Sequence, residues 1–298
     1  MKGLELAERY YNEYGRKMID EEFPEYAHRI AVGLVGEGSE CLGYDDEISE
    51  DHDFEPGFCL FITAEDERKF GFKLERAYAK LPKEFMGYTR QKISPVGGSR
   101  HGVFVVEEFY RKLIGIDGAP DTDEKWLSVP SHRFLAATSG KVFKDDLGVF
   151  SKIREEIKKG YPERVRRQRI ADCLLNMAQT GQYNYERCVK RGETGAAGLA
   201  ISEFIKNTVS VIYLINNMYE PFYKWAYRGM RELPLLSELE NELLILSETK
   251  NGAEELPLKL KVIEEIAEKI SKELHSQGIS RLSGNTLHAH AYSVLNVR

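Results

Sequence analysis

The feature that most constrains the fold is a change of pattern near residue 160. Before it, short apolar runs bounded by glycines and polar residues predict four strands. These runs cover residues 30–35, 58–62, 103–106 and 140–143. After it, the pattern is one of long helices, and the one over 194–218 is expected to be the central helix of a bundle. The sequence therefore predicts an α+β domain over 1–160, with an N-terminal helix over 3–21 packed on it, and an all-α helical bundle over 161–298.

Composition narrows the class of protein. The 298 residues are enough for two modest domains, and 42% hydrophobic with 30% charged residues is typical of a globular chain. The net charge of −6 does not favour non-specific binding to nucleic acid or to an anionic membrane. The acidic N-terminus is not a secretory signal, no apolar run reaches the ~18 residues of a membrane span, and the four cysteines are scattered. We therefore expect a cytoplasmic protein that binds neither nucleic acid nor membrane.

The turn after the first predicted strand has the composition of a phosphate-binding loop. Gly36 and Gly38 allow backbone N–H groups to approach an anion without an intervening side chain. Ser39 adds a hydroxyl donor and is expected to begin a helix, whose N-terminus favours a phosphate. Alone, such a segment is more often an ordinary turn, so a phosphate-binding role needs support from neighbouring residues.

A D-x-D sequence lies between this turn and the second strand. In an extended segment, residues i and i+2 face the same way, so Asp51 and Asp53 present two carboxylates together while His52 points to the other side. Adjacent carboxylates repel unless a cation lies between them, and Mg²⁺ bridging to nucleotide phosphates is a natural occupant. The other acids of this loop, Asp45, Asp46, Glu47 and Glu50, are expected to be solvated surface residues.

With these motifs, the sequence resembles the DNA polymerase β-type nucleotidyltransferase superfamily, and within it an uncharacterised bacterial branch. The likeness to the branch spans nearly the whole chain. It is carried by residues 29–62, 101–113 and 140–148 and by the block Tyr219-Glu220-Pro221-Phe222-Tyr223-Lys224-Trp225. The second half also resembles the helical domain of kanamycin- and lincosamide-type nucleotidyltransferases. The resemblance implies a nucleotidyltransferase-type mixed sheet with flanking helices, and after it the helical bundle.

The resemblance also implies roles for individual residues. Gly38 and Ser39 would hold a nucleoside triphosphate, and Asp51 and Asp53 would bind Mg²⁺, with a two-ion site possible. Lys224, from the helical half, would reach the phosphates. An acceptor would attack the α-phosphorus in line and release pyrophosphate, while the metal and cationic groups stabilise the developing charge.

One departure from the superfamily concerns its third carboxylate, which is expected on the neighbouring strand. The centre of that strand, residues 103–106, is entirely apolar. Glu107 lies at its end, on the same face as Val105 but about 6–7 Å farther along an extended strand. Either Glu107 substitutes, or an acid such as Glu203 comes from the helical half, or the site binds nucleotide without turnover. Glu107 also fits a first-turn helix acid, and Glu203 fits pairing with Lys206 or Asn207.

These features support two functional hypotheses of different classes. The first is a Mg²⁺-dependent enzyme that transfers a nucleoside monophosphate, AMP from ATP being the first choice, to a small molecule or a protein. The second is a nucleotide-binding regulatory or interaction protein that has lost turnover. A weaker third option is the nucleotidyltransferase half of a toxin–antitoxin-like pair. The acceptor, the base preference and the oligomeric state stay open.

Overall fold

The computed structural model describes residues 1–48, 54–90 and 100–296. The chain divides into two compact units. Unit 1 consists of Met1–Asp121 and Arg133–Lys159, and unit 2 of Thr122–His132 and Gly160–Arg298. Unit 1 contains a mixed sheet with flanking helices and unit 2 contains helices, so the predicted fold class, an α+β domain and then an all-α domain, is confirmed.

Unit 1 is built from short strands and helices in mixed order. Its strands are β1 (Ala31–Val35), β2 (Cys59–Ile62), β3 (Glu84–Phe85), β4 (Tyr88–Thr89), β5 (Gly102–Val105) and β6 (Gly140–Lys144). Its helices are α1 (Gly3–Tyr10), α2 (Arg16–Glu22), α3 (Ser39–Leu42), α4 (Ala64–Asp66), α5 (Phe72–Ala79) and α6 (Val106–Ile114), then, after the segment that belongs to unit 2, α8 (Ser131–Thr138, which begins in that segment) and α9 (Val149–Lys158).

The main sheet has the strand order β5-β2-β1-β6. Strand β1 pairs antiparallel with β2 and with β6, and β2 pairs parallel with β5. All five residues of β1 and all four of β2 are buried, because helices cover the centre of the sheet; continuous apolar runs are the signature of such strands. The four strands predicted from these runs are confirmed, whereas the small β3–β4 hairpin has no comparable signal.

The N-terminal helix predicted over 3–21 is interrupted. A π-helical turn, Tyr11–Gly15, separates α1 from α2. At its end, a Cβ on Gly15 would lie 2.6 Å from the Phe58 ring, so only glycine lets that ring pack against the helix backbone. This tertiary contact lies at the end of the interruption, and no local periodicity reveals it.

Unit 2 is a bundle of longer helices. They are α7 (Asp123–Ser128), α10 (Glu163–Met177), α11 (Glu186–Lys190), α12 (Thr194–Ile215), α13 (Tyr223–Met230), α14 (Glu240–Glu248), α15 (Leu256–Ser276) and α16 (Leu287–Asn296), with a π-helical stretch at Ala178–Tyr185. Helix α12 is the central element as predicted, since Ile201, Phe204, Val211 and Ile212 are all buried. A Cβ on Gly181 in the π-helical stretch would overlap the Phe204 ring.

The segment Thr122–His132 departs from the simple division at residue 160, because it packs in unit 2. Arg169 on α10 holds it there by donating hydrogen bonds to the carbonyls of Trp126 (2.9 Å), Leu127 (3.2 Å) and Val129 (2.7 Å). These carbonyls lie at the C-terminal end of α7, where backbone oxygens lack partners within the helix. The sequence places Arg169 in a basic run typical of a solvated helix face, so its pattern does not predict this contact.

Helix α12 is long and apolar enough, by length and composition, to cross a membrane. Its 22 residues include a window of mean hydropathy 1.3, of which 56% is buried inside the protein. The core helix of a bundle passes the same test, so this finding is weak evidence for a span. The sequence predicted no apolar run long enough for a membrane span, whereas this helix meets the criteria of length and composition.

Candidate functional site

The turn between β1 and α3 has the backbone that its glycines predicted. Gly36 and Gly38 have φ angles of +118° and +127°, in a region that other residues rarely adopt. Gly38 caps α3, and Ser39 is the first residue of that short helix. A Cβ on Gly38 would overlap Nη2 of Arg100 and lie 2.6 Å from Oε2 of Glu40. The backbone angle therefore favours glycine here, and a larger residue would also have to displace the ends of two charged side chains.

Arg100 is the cation at this turn, and sequence reasoning missed it. Its guanidinium donates a 2.5 Å hydrogen bond to the Glu37 carbonyl and pairs with the buried Glu40 carboxylate. It precedes β5, more than sixty residues from the turn, and reaches the turn because β5 lies in the same sheet as β1. No local motif marks such an arginine.

A buried arginine, Arg154, supports the turn from the side of β6. The Ser139 hydroxyl donates to the Gly36 carbonyl (2.7 Å), and Arg154 donates to the carbonyls of Ser139 (2.8 Å) and Gly140 (2.7 Å). Arg154 is only 4% exposed, and burial lowers the pKa of its guanidinium. These charge-assisted bonds satisfy carbonyls at the start of β6 and fix the conformation of the residue at which the turn begins.

A cavity of about 320 Å³ opens beside the turn. Its polar margin consists of the backbone of Gly36, two cationic residues, Arg100 and Lys112, and four acidic ones, Glu37, Glu67, Glu75 and Glu108. Phe104 and Phe109 give the cavity an aromatic wall. The two rings lie 6.1 Å apart, edge to face. This volume is at the lower end of the range for small-molecule sites, and the aromatic wall suits a flat apolar group.

Asp51 and Asp53 lie outside the described residues, so their predicted pairing stays a prediction. The residue after the motif, Phe54, is described: a Cβ on Gly3 would lie 3.2 Å from its ring and 2.6 Å from the Glu40 Cβ. The chain therefore enters β2 from a point beside α3.

The expectation that the loop acids are solvated is wrong for Asp45. This carboxylate is 4% exposed and accepts a 2.8 Å hydrogen bond from the backbone N–H of Gly3, at the start of α1. Lys2 is its ion-pair partner at 3.2 Å. Asp45 thus stabilises the N-terminus of α1, where four N–H groups lack partners in the helix.

Of the two positions considered for Glu107, the end of an extended strand is wrong and the first turn of a helix is confirmed. Strand β5 ends at Val105, and Glu107 lies in the first turn of α6, where a carboxylate favours the helix dipole. Its Oε2 is buried and has no hydrogen-bond partner among the described residues. Strand β5 itself consists of Gly102, Val103, Phe104 and Val105, so it carries no carboxylate.

Lys224 lies in unit 2, in the first turn of α13. It is exposed, and its ammonium group lies 5.3 Å from the centre of the Trp225 ring, a cation–π contact. The prediction that it reaches a phosphate stays a prediction. Glu203, the alternative acid, is exposed and pairs with Lys206 at 3.6 Å, which confirms the simpler interpretation of that residue.

No group of three or more histidine, cysteine, aspartate or glutamate side chains that could hold a metal ion occurs among residues 1–48, 54–90 and 100–296. A magnesium site on Asp51 and Asp53 stays untested by this finding, because both lie in the remaining part of the chain.

Comparison with known proteins adds little to this geometry. A family described as a domain of unknown function, DUF4037, matches residues 126–226. A crystal structure of a nucleotidyltransferase-like protein from Exiguobacterium sibiricum 255-15 is similar over 89% of this chain and 77% of its own, at 12% sequence identity and a TM-score of 0.40. A TM-score this low carries no argument about function. No curated protein matches the sequence significantly.

Proposed function

We propose that the chain is a Mg²⁺-dependent nucleotidyltransferase that transfers a nucleoside monophosphate, AMP from ATP in the first instance, to a small-molecule or protein acceptor. The observation that carries the proposal is the β1–α3 turn. Two of its residues are glycines with positive φ, and a guanidinium lies against it. Such a turn suits a phosphate group. A cytoplasmic location, where nucleoside triphosphates are found, is part of the proposal.

The residues of the turn would bind the triphosphate. Gly38 and Ser39 offer backbone and hydroxyl donors, and Arg100 offers a planar set of N–H donors that matches phosphate oxygens. Arg100 is paired with Glu40 in the free protein. We expect an arriving phosphate to compete for this guanidinium and to leave Glu40 with other partners. Lys224 would add a further cation from unit 2.

The aromatic cavity would take the nucleoside. Phe104 and Phe109 provide ring faces and edges for a base, and about 320 Å³ is sufficient for a base with part of its ribose. Asp51 and Asp53 would hold Mg²⁺, since carboxylate oxygens are the ligands this ion prefers, and the ion would neutralise phosphate charge. An acceptor oxygen would form a bond to the α-phosphorus as the bond to the bridging oxygen breaks, and pyrophosphate would leave.

One observation favours the second hypothesis, nucleotide binding without turnover. Strand β5 carries no carboxylate, and Glu107 lies on a helix rather than facing the D-x-D from the neighbouring strand. Without a third acid, the acceptor lacks an evident base. A protein of this kind would bind the nucleotide and report its presence to a partner.

Pyrophosphate release separates the two hypotheses. The full chain is incubated with Mg²⁺ and ATP, CTP, GTP or UTP, with and without cell extract as the acceptor source. An enzyme gives release that Asp51→Asn and Asp53→Asn abolish, while Glu47→Gln, an exposed acid in the same loop, leaves it unchanged. Nucleotide binding without release supports the regulatory protein, and neither binding nor release contradicts both.

A further inference from the structure

A second cavity, of about 150 Å³, lies within unit 2. Helices α10 and α12, the start of α8 and the loop before α13 enclose it. Its lining includes Ser131, Tyr161, Asp172, Cys173, Ser210 and Glu220. All of these residues fall in the range 126–226 that matches the family of unknown function. None of these residues is among those proposed to bind the nucleotide or the metal ion.

Glu220 is held in a fixed position at this cavity. Its Oε2 accepts a 2.6 Å hydrogen bond from the Ser210 hydroxyl, and its backbone N–H donates to the Ser131 hydroxyl oxygen at 2.8 Å. Its other carboxylate oxygen, Oε1, accepts no hydrogen bond from the described residues. A fixed carboxylate with one unused oxygen is a ready acceptor for a donor in the cavity.

The carboxylate also lacks a close counter-ion. No lysine or arginine nitrogen of the described residues lies within 4.0 Å of it; Lys206 acts on it from farther away, and burial raises the pKa of Glu220. The guanidinium in the lining, that of Arg169, has its Nη2 bonded to three backbone carbonyls and lies 4.8 Å above the Tyr161 ring, while its buried Nε has no hydrogen-bond partner among the described residues. A partly buried carboxylate without a paired cation costs free energy that a cationic ligand would offset.

The remaining lining is neutral or negative. Burial raises the pKa of Cys173 to about 12, so its thiol stays protonated, and Tyr161 likewise has a raised pKa and stays neutral. Asp172 adds a second carboxylate, which accepts a 2.9 Å hydrogen bond from Gln168. Two carboxylates, Asp172 and Glu220, and one guanidinium, that of Arg169, are the charged groups of the lining, so the cavity favours a cation over a phosphate or a carboxylate.

Size limits the ligand further. A cavity of this volume holds a molecule of about six non-hydrogen atoms, as engineered 150 Å³ cavities hold benzene. An ammonium group with a chain of three to five carbons, or the aminoalkyl end of a larger molecule, meets both the volume and the charge. We propose that this cavity binds the primary ammonium group of a small amine, with Glu220 as its counter-ion and with the ammonium N–H groups donating to Glu220 Oε1.

Calorimetric titration with a matched pair of ligands tests the proposal. Propylammonium and 1-propanol have the same heavy-atom count, and only the first carries a charge. We expect the full-length protein, without nucleotide, to bind propylammonium in the millimolar range and at least about tenfold more tightly than 1-propanol. Equal affinities, or no detectable binding of propylammonium, would overturn the proposal.

Variants locate the site. Glu220→Gln keeps the shape of the side chain and its contact with Ser210, and we expect it to weaken propylammonium binding about tenfold or more. Glu203→Gln removes an exposed acid from the same unit and should change nothing. Unchanged affinity in Glu220→Gln would overturn the assignment, and the ligand pair keeps the test decisive even if this variant fails to fold. Because no nucleotide is present, the outcome is independent of the proposed transferase activity.

Discussion

The β1–α3 turn of unit 1 and the Glu220 cavity of unit 2 are built in different ways. The turn is made of consecutive backbone, with Gly36, Gly38 and Ser39 within four positions. The cavity is made of side chains between Ser131 and Glu220, far apart along the chain. The first kind of site leaves a signature in the sequence because its geometry requires glycine. The second leaves none, since each of its residues is ordinary in its own helix.

The two regions also differ in electrostatics. The turn has a guanidinium, Arg100, already paired with Glu40 and with the Glu37 carbonyl. The cavity has a carboxylate, Glu220, with no cation in contact among the described residues. A turn of the first kind favours an anion and a cavity of the second kind favours a cation. The two proposals therefore assign chemically different ligands to the two units.

The largest effect should come from the backbone that supports the turn. Gly140 has φ +76°, and a Cβ there would overlap the Leu34 carbonyl oxygen and lie 2.8 Å from the Val35 Cα. Gly140→Ala should lower the free energy of unfolding by about 4 kcal/mol, because backbone must move. Gly148→Ala is the matched control: its φ is +68° and no heavy atom lies within 4 Å, so about 1 kcal/mol is expected. Urea unfolding measures both, and equal losses would contradict the packing described at β6.

The next effect concerns the buried arginine that supports the turn from the side of β6. Arg154→Met keeps much of the side-chain volume but removes two hydrogen bonds to the Ser139 and Gly140 carbonyls. We expect a loss of about 3 kcal/mol in the free energy of unfolding, since these acceptors are buried. Lys152→Met, at an exposed position of the same helix, should lose less than about 0.5 kcal/mol. A loss for Arg154→Met as small as that for Lys152→Met would show that the turn does not depend on this support.

Gly38→Ala should change ligand binding more than stability. The added methyl group meets the mobile end of Arg100 rather than backbone, so the cost in unfolding free energy is about 1–2 kcal/mol, mainly from the φ of +127°. ATP affinity should fall about tenfold or more, because the guanidinium and the turn are displaced. Gly43→Ala, at the other end of α3 with φ +73° and open space, should keep ATP affinity. Equal ATP affinity in the two variants would show that the nucleotide does not bind at the turn.

The smallest expected effect is on the pH dependence of the melting temperature, and it tests the Glu220 cavity. Burial raises the pKa of Glu220, so the folded state binds its proton more tightly than the unfolded state. That contribution to stability is complete below the ordinary pKa of 4.5 and is lost as the pH rises through the folded-state value. Glu220→Gln avoids the cost of the buried charge, so its melting temperature should exceed that of the unmodified protein at pH 8 and approach it near pH 4. If Glu220→Gln melts at a lower temperature than the unmodified protein at pH 8, the protein already compensates the charge of the Glu220 carboxylate.

The sequence predicted the parts of this molecule that depend on local pattern. The four strands of the main sheet, the central helix of the bundle and the glycine turn are all consequences of periodicity or of residues with special backbone freedom. The sequence also predicted that β5 is apolar. It did not predict where β5 ends, because Val106, the first residue of α6, is as apolar as Val105, the last residue of the strand.

The features that sequence reasoning missed depend on long-range contacts. Arg100 and Arg154 reach the turn only because the sheet and α9 bring distant segments together, and Arg169 fixes Thr122–His132 in unit 2 by bonding three carbonyls. Asp45 is buried because it meets the start of α1. For each of these charged residues, the adjacent residues in the sequence either predict a solvated side chain or make no prediction about its burial. A charged residue's partner is a property of the fold, so its burial cannot be deduced from its own segment.

The central claim is that the β1–α3 turn binds the phosphates of a nucleotide, and a crystal structure with Mg²⁺ and a non-hydrolysable ATP analogue tests it most directly. We predict phosphate oxygens within hydrogen-bond distance of Ser39 and of the Arg100 guanidinium, the base beside Phe104 and Phe109, and the metal ion on Asp51 and Asp53. An analogue bound elsewhere, or Asp51 and Asp53 facing solvent away from Ser39, would contradict the account.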